Sequence, residues 1–336
     1  MMTYRLQGCK KSAVIGWMAG ILLLAGCTQD KPVDTSQGEM LPEGKYPMTF
    51  TVTGLEATAT TRGAADGKWD GGEEVAVQVG DVVKKYVAVG SGESTTLQPA
   101  DPDNAFYWQN TNDTKQVSAW YLGKGYNNVP PTKTNPMWQW SIQSDQNSDN
   151  GYQKSDFLYA PQTTCSFGGT SSLTFSHKTA KVVINIRKYG VATDDEDIES
   201  ITIHKALSTG YTYEDGGELK FTGIESESCD LTPCKLTVQN TNVSFEANKP
   251  AETALASYQA LVVPIMIRNQ SFEIKMKGYA PFKYNIPVST APDKWESGMQ
   301  YTYNLTIKGE KVTATVASTE MTWTDGGSGG NGSVEI

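Results

Sequence analysis

Histidine is almost missing from this chain: His177 and His204 are the only two in 336 residues. No serine, cysteine or carboxylate motif converges on either, so general-base or nucleophilic catalysis finds no support in the residues. Cysteine is nearly as scarce. Of the five present, Cys9 and Cys27 stand in the N-terminal segment, and the remaining three are too few for a structural zinc site. Cys229-Asp-Leu-Thr-Pro-Cys234 could close a small disulfide loop in an oxidising compartment, leaving Cys165 as an odd thiol. Charged residues make up only 19% of the chain, and sustained helical periodicity is absent. No apolar run reaches the roughly 20 residues that cross a bilayer. Neither an enzyme nor a cofactor is expected.

What is present begins with a secretory signal. Arg5, Lys10 and Lys11 form a basic start, Ala13 to Leu24 an apolar stretch, and Ala25-Gly26 the small residues beside a peptidase's scissile bond. Cys27 follows directly, where a bacterial lipoprotein is diacylated on sulfur and becomes the new N-terminus. Several acyl chains hold a protein to a membrane far better than one. The chain carries a formal charge of −9, and losing the three basic residues of the signal makes it more acidic still. Such a surface argues against nucleic acid and anionic lipid as partners.

Residues 28–45 have the polar, Pro- and Gly-punctuated composition of a tether. Met48, Phe50 and Val52 then alternate with threonines and proline in the period of a strand. A second low-complexity run, A-T-A-T-T-R-G-A-A-D-G-K, follows, and Arg62 is its only base before Gly63. An exposed cation in such a run suits a trypsin-like protease. From Trp69 onward short alternating strands and turn signals succeed one another, as all-β sandwiches require. The texture breaks at Gly168-Gly169-Thr170, and Leu173 to Ile186 opens a second unit. Near the end Val312, Ala314 and Val316 share a strand face, ahead of a Gly-rich stretch, D-G-G-S-G-G-N-G-S-V-E-I, that would let an extended strand leave its own domain.

The lipobox at Cys27, T-T-R at residues 60–62, G-K-W-D-G-G-E-E-V-A-V from Gly67, L-T-F-S-H-K-T-A-K-V-V-I-N-I from Leu173 and K-W-E-S-G-M-Q-Y-T-Y-N-L-T-I-K-G from Lys294 together resemble the fimbrillin-like family. Its members are pilins of type V pili in Bacteroidia. The resemblance implies two transthyretin-like, Greek-key β-sandwich domains in tandem. It also implies export as an outer-membrane lipoprotein, cleavage between Arg62 and Gly63, loss of the first strand, and filling of the groove by the C-terminal strand of a neighbouring subunit. The segments expected are a signal peptide at 1–26, a propeptide at 27–62, sandwich domains at 63–170 and 171–308, and a donor appendage at 309–336. Val312, Ala314 and Val316 would enter the groove vacated by Met48, Phe50 and Val52. Partners would be identical or related pilin subunits joined head to tail, a lipoprotein signal peptidase and a trypsin-like protease, outer-membrane lipid, and a host or bacterial surface receptor. The sequence departs from the common pattern with Gly63 after the arginine and Glu73-Glu74 in a turn.

Two further features invite a ligand. Asp145, Asn147, Asp149 and Asp156 stand at positions 1, 3, 5 and 12 of a calcium loop, but Asn150 replaces the glycine at position 6, and a solvated loop is the preferred reading. Trp138 and Trp140 share a strand face next to that loop and could form an aromatic sugar platform, although sandwich tryptophans more often pack in the core. They support a rival function, a monomeric surface lipoprotein that keeps its first strand and binds glycan or protein.

Overall fold

The computed structural model describes residues 38–53, 67–125, 139–169, 171–189, 197–215, 218–237, 243–288, 292–320 and 334–335. Cys27, Arg62, Gly63 and Trp138 lie outside them. Among the described residues the chain is all-β, with one α-helical turn at Gly151–Lys154. Among these residues no helix is long and apolar enough to cross a membrane.

The first strands are β1 (Phe50–Thr53), β2 (Glu74–Val79), β3 (Val82–Ala88), β4 (Thr95–Pro99), β5 (Thr114–Tyr121), β6 (Gln139–Ser141), β7 (Leu158–Ser166), β8 (Ser172–Thr174) and β9 (Ser176–His177). All but β6 join one sheet, in the order β8-β1-β4-β3-β2-β5-β7-β9. β8 and β9 are separated only by Phe175, so a single short stretch pairs with β1 at one edge and with β7 at the other. The sheet therefore closes round its own core. Alternation builds that core: Met48, Phe50 and Val52 meet Val75, Val77, Tyr86, Leu97, Val117, Ala119 and Leu173 inside, while Thr49 and Thr51 face out.

The remaining strands are β10 (Ala180–Lys188), β11 (Ile198–Leu207), β12 (Thr209–Asp215), β13 (Glu218–Gly223), β14 (Ser228–Leu231), β15 (Cys234–Lys235), β16 (Ala256–Val262), β17 (Ile265–Met266), β18 (Ser271–Met276), β19 (Phe282–Asn285), β20 (Lys294–Trp295), β21 (Met299–Lys308), β22 (Lys311–Glu320) and β23 (Val334–Glu335). A six-stranded sheet, β15-β16-β10-β21-β22-β23, and a four-stranded one, β14-β11-β18-β19, supply most of a second apolar core. β10 lies between β16 and β21, antiparallel to one and parallel to the other. Such a strand is covered on both faces, so it reads as the nearly continuous apolar run AKVVINIRK, of which only the final lysine is not buried.

Three sequence expectations shift. Residues 171–177 complete the first sheet rather than opening the second unit, because Leu173 and Phe175 point into the first core. β6, placed within the first unit by its position in the chain, pairs with β12, and Trp140 and Ile142 join the second core. Cys229 and Cys234 form no disulfide and stand on strands of different sheets.

A buried polar cluster around Asn185 on β10 generates a test. Asn185 Nδ2 donates to Asn304 Oδ1 at 2.8 Å, Asn185 Oδ1 accepts from Ser257 Oγ at 2.7 Å, and Asn304 Nδ2 donates to the Ser244 carbonyl at 2.9 Å. Asn185→Ala strands the buried Ser257 hydroxyl and Asn304 carbonyl. It should lower unfolding stability by about 2–4 kcal/mol in a urea titration, whereas the exposed Lys275→Ala should change it by less than about 0.5 kcal/mol.

Candidate functional site

The segment from Gly38 to Thr53 is the only part of the described chain before residue 67, and it is threaded into the first sheet. β1 pairs antiparallel with β4, with Phe50 opposite Leu97 and Val52 opposite Thr95. On its other side it pairs parallel with β8, with Val52 opposite Leu173 and Thr53 opposite Thr174. Met48, Phe50 and Val52 are each 0% exposed. β1 is thus an interior stave whose two walls, β4 and β8, are 73 or more positions apart in sequence. Beneath it the Phe50 ring lies 5.5 Å from that of Tyr86. The Tyr86 hydroxyl accepts a hydrogen bond from the Phe106 amide at 3.2 Å, and burial pushes its pKa up to about 12. The floor of the groove therefore stays uncharged at physiological pH.

Upstream of β1 the chain continues as a docked arm, where composition suggested only tether up to Lys45. Met48 N donates to the Phe106 carbonyl at 2.7 Å, Trp108 N to Tyr46 O at 3.0 Å, Leu41 N to Gln109 O at 2.9 Å and Thr111 N to Glu39 O at 2.9 Å. Residues 39–48 thus run antiparallel along residues 106–111, with Met40 bridged to Asn110 and Pro47 to Tyr107. Tyr46 sets its ring edge-on to Phe167, 5.6 Å away. An open cavity of about 840 Å³ lies between this arm and the sheet, with Leu41, Met48, Phe106 and Trp108 in its wall. The sequence signal for the arm was faint: Met40-Leu41 and Tyr46 are its only large apolar residues among prolines, glycines and charges.

Removing Met48, Phe50 and Val52 from such a site forfeits roughly 1.5–3 kcal/mol for each side chain. It also leaves the inward edges of β4 and β8 without partners, which is the condition for capturing another strand.

The other candidate residues fall elsewhere. Val312, Ala314 and Val316 lie on β22, every residue of which pairs with β21 from Lys308↔Lys311 to Met299↔Glu320. Ala314 and Val316 are each 5% exposed within the second core, and Val312 packs against it. In the single chain these three are therefore held in their own ladder and core, and the expected transfer to another subunit would require them to leave both. The chain beyond β22 touches down again at β23, where Val334 pairs with Val316 and Glu335 with Thr315.

Trp140 is also not a platform. It is 3% exposed, its Nε1 donates to the Leu122 carbonyl at 3.2 Å, and its ring is packed by Phe157 and Phe221 at 5.5 and 5.8 Å. No ring face is left for a sugar.

The calcium-loop residues diverge. Asp145 accepts from Asn147 N and Ser148 Oγ, and these hydrogen bonds hold its carboxyl below the usual carboxylate range, Ser148 contributing most. Asn147 Oδ1 accepts from the Lys235 amide at 2.9 Å, and Asp156 is fully buried with His177 Nδ1 2.8 Å away. Among the described residues no cluster of His, Cys, Asp and Glu has the arrangement of a metal site. His204 faces Asp230 at 2.9 Å.

The family model for fimbrillin-like proteins matches residues 58–323. The chain belongs to the fimbrillin-like family. Its fold is shared with solved structures at low identity. One is a candidate cell adhesion protein from Bacteroides uniformis, 16% identical, with a TM-score of 0.58, covering 84% of this chain and 100% of that one. A second candidate cell adhesion protein, from Bacteroides ovatus, is 16% identical with a TM-score of 0.59, covering 82% and 97%. The C-terminally truncated tip fimbrial protein Mfa3 from Porphyromonas gingivalis aligns at 10% identity and a TM-score of 0.47, over 81% of this chain and all of that one. No curated protein matches the chain by sequence. Membership of the family assigns this fimbrillin-like protein to the cell surface as a fimbrial or adhesive component.

The alternation of β1 makes a sharp prediction for the uncut fimbrillin-like chain. Val52→Asp buries a carboxylate opposite Leu173 and should lower thermal unfolding stability by at least about 3 kcal/mol. Thr51→Asp, one position away on the exposed face, should change it by less than about 0.5 kcal/mol.

Proposed function

We propose that the chain is the precursor of a structural pilus subunit that polymerises by strand replacement. The observation that carries this reading is the position of β1: an interior stave that, with Met48 just before it, buries three side chains fully and is joined to the rest of its sheet through the run that contains Arg62. In this scheme the protein is exported, lipidated on Cys27 after a lipoprotein signal peptidase acts, and displayed at the outer membrane. A trypsin-like protease then cuts between Arg62 and Gly63. The covalent link between β1 and its sheet is thereby lost, and an extended segment of another subunit takes its place between β4 and β8.

This is β-augmentation, in which main-chain bonds supply affinity and alternate side chains supply register. Because donor and acceptor surfaces differ, the contact is head to tail and propagates as a filament rather than closing. The two apolar cores support a tandem arrangement of sandwich domains, with their junction after His177. With β22 committed to its own core, the donor is assigned to residues 321–336. Met321 and Trp323 stand at one end of this segment, Val334 and Ile336 at the other, and a Gly-rich spacer lies between them. Partners are identical or related subunits, and surface receptors of host or bacterial cells fit an adhesive fibre.

Arg62→Ala should leave a folded precursor that keeps β1 and forms no polymer. N-terminal sequencing of sheared surface material should give Gly63 for the wild type and no such end for the variant. Polymers formed as readily by the variant as by wild type would contradict the scheme. Ending the chain after Glu320 should spare acceptance and abolish donation, so that mixing this chain with wild type shortens filaments in electron micrographs. Unchanged filament length would place the donor elsewhere.

A further inference from the structure

The bond between Arg62 and Gly63 lies nine positions beyond Thr53, and the described residues by themselves supply contacts that hold residues 38–53. Those contacts are of three kinds. Met48, Phe50 and Val52 are wholly buried. β1 is paired along both edges, with Thr51 N donating to Ser171 O at 2.8 Å, Phe175 N donating to Thr53 O at 3.2 Å, and the Thr53 and Ser172 hydroxyls 3.3 Å apart. The upstream arm adds hydrogen bonds to Phe106, Trp108, Gln109 and Thr111, including Glu39 N to Thr111 Oγ1 at 2.8 Å. Cutting one peptide bond removes none of these. It only turns an intramolecular contact into a two-chain one, whose lifetime is set by what is buried and paired.

We propose that proteolysis does not itself free the subunit. Residues 38–53 stay docked as a separate peptide, and because that peptide continues back to the lipid-bearing Cys27, the cut subunit remains held at the membrane until a competing strand displaces the plug. This inference rests on the maturation scheme above and adds its regulation: the protease licenses exchange, and the incoming donor performs the release. Such a device keeps the edges of β4 and β8 covered at every moment, which an emptied groove would not, and so suppresses unprogrammed pairing at the cell surface. It also makes departure from the membrane coincide with incorporation into a filament.

The test uses the full chain in washed outer membranes with an arginine-specific protease. The chain has four arginines, of which Arg5 belongs to the signal and Arg187 is buried. Arg268 is exposed, so Arg268→Lys leaves Arg62 as the one accessible site. After cleavage is complete by N-terminal sequencing, the fragment beginning at Gly63 should sediment with the membranes, at about tenfold or more over the supernatant. An excess of a synthetic peptide covering residues 38–53 should release it, and the same peptide carrying Phe50→Asp and Val52→Asp should not.

In the full chain, Phe50→Ala should speed release after the cut by about tenfold or more, while the uncut variant stays membrane-bound. Val52→Ala, a milder truncation, should act in the same direction if Phe50→Ala fails to fold. Appearance of the Gly63 fragment in the supernatant as fast as the bond is cut overturns the proposal and leaves the maturation scheme standing. Absence of a Gly63 end on the accessible, folded chain overturns the scheme itself, and the proposal with it.

Discussion

The pairing of one short strand with two walls that the rest of the chain brings together from afar is the constraint on which this molecule depends. β1 satisfies the backbone groups of β4 on one side and β8 on the other, and it fills the core beneath with Met48, Phe50 and Val52. The closed first sheet exists only while that position is occupied. In the proposed scheme an occupant held by main-chain bonds and alternate apolar side chains is exchanged for a strand that offers the same two things. Replaceability would then follow from how the fold is completed.

The walls are not equivalent. β4 belongs to a run of short antiparallel connections, whereas β8 is separated from β10 by only a few residues, and β10 is the inner strand of the second core, flanked by β16 and β21. One face of the acceptor site is thus tied covalently to the best-buried strand of the other half of the molecule. β21 turns directly into β22, after which the chain runs on to its C-terminal segment.

β1 was legible as a buried strand because threonine and proline separate Met48, Phe50 and Val52, so period-2 burial was the only reading that hid all three. β10 was legible as a strand for the opposite reason, an apolar run with no exposed face. Periodicity does not say which sheet a strand joins, and there the reading went astray. Gly168 and Gly169 looked like a linker, yet Gly168 adopts a positive φ of 68° in a turn inside the first sheet, and Leu173 and Phe175 answer to the first core. Val312, Ala314 and Val316 show the same limit: their alternation specified a face, and only the ladder to β21 shows that the face is already taken. Trp140 was read only as sharing a face with Trp138, in a stretch whose Pro-, Asn- and Asp-rich composition suggested a surface loop, and its partners Phe157 and Phe221 cannot be named from the sequence. The arm at 39–47 was missed because main-chain bonds to residues 106–111 leave little trace in side-chain composition.

The central claim is that a strand of another subunit comes to occupy the place of β1. Amide hydrogen exchange of β4 and β8, followed by mass spectrometry in three samples, tests it most directly: the uncut chain, the cut chain with its plug peptide removed, and the assembled filament. The account predicts slow exchange of the Thr95–Leu97 and Ser172–Thr174 amides in the first, fast exchange in the second and slow exchange again in the third. Filaments in which those amides exchange as fast as in the emptied chain would show that subunits join through another surface, and would contradict it.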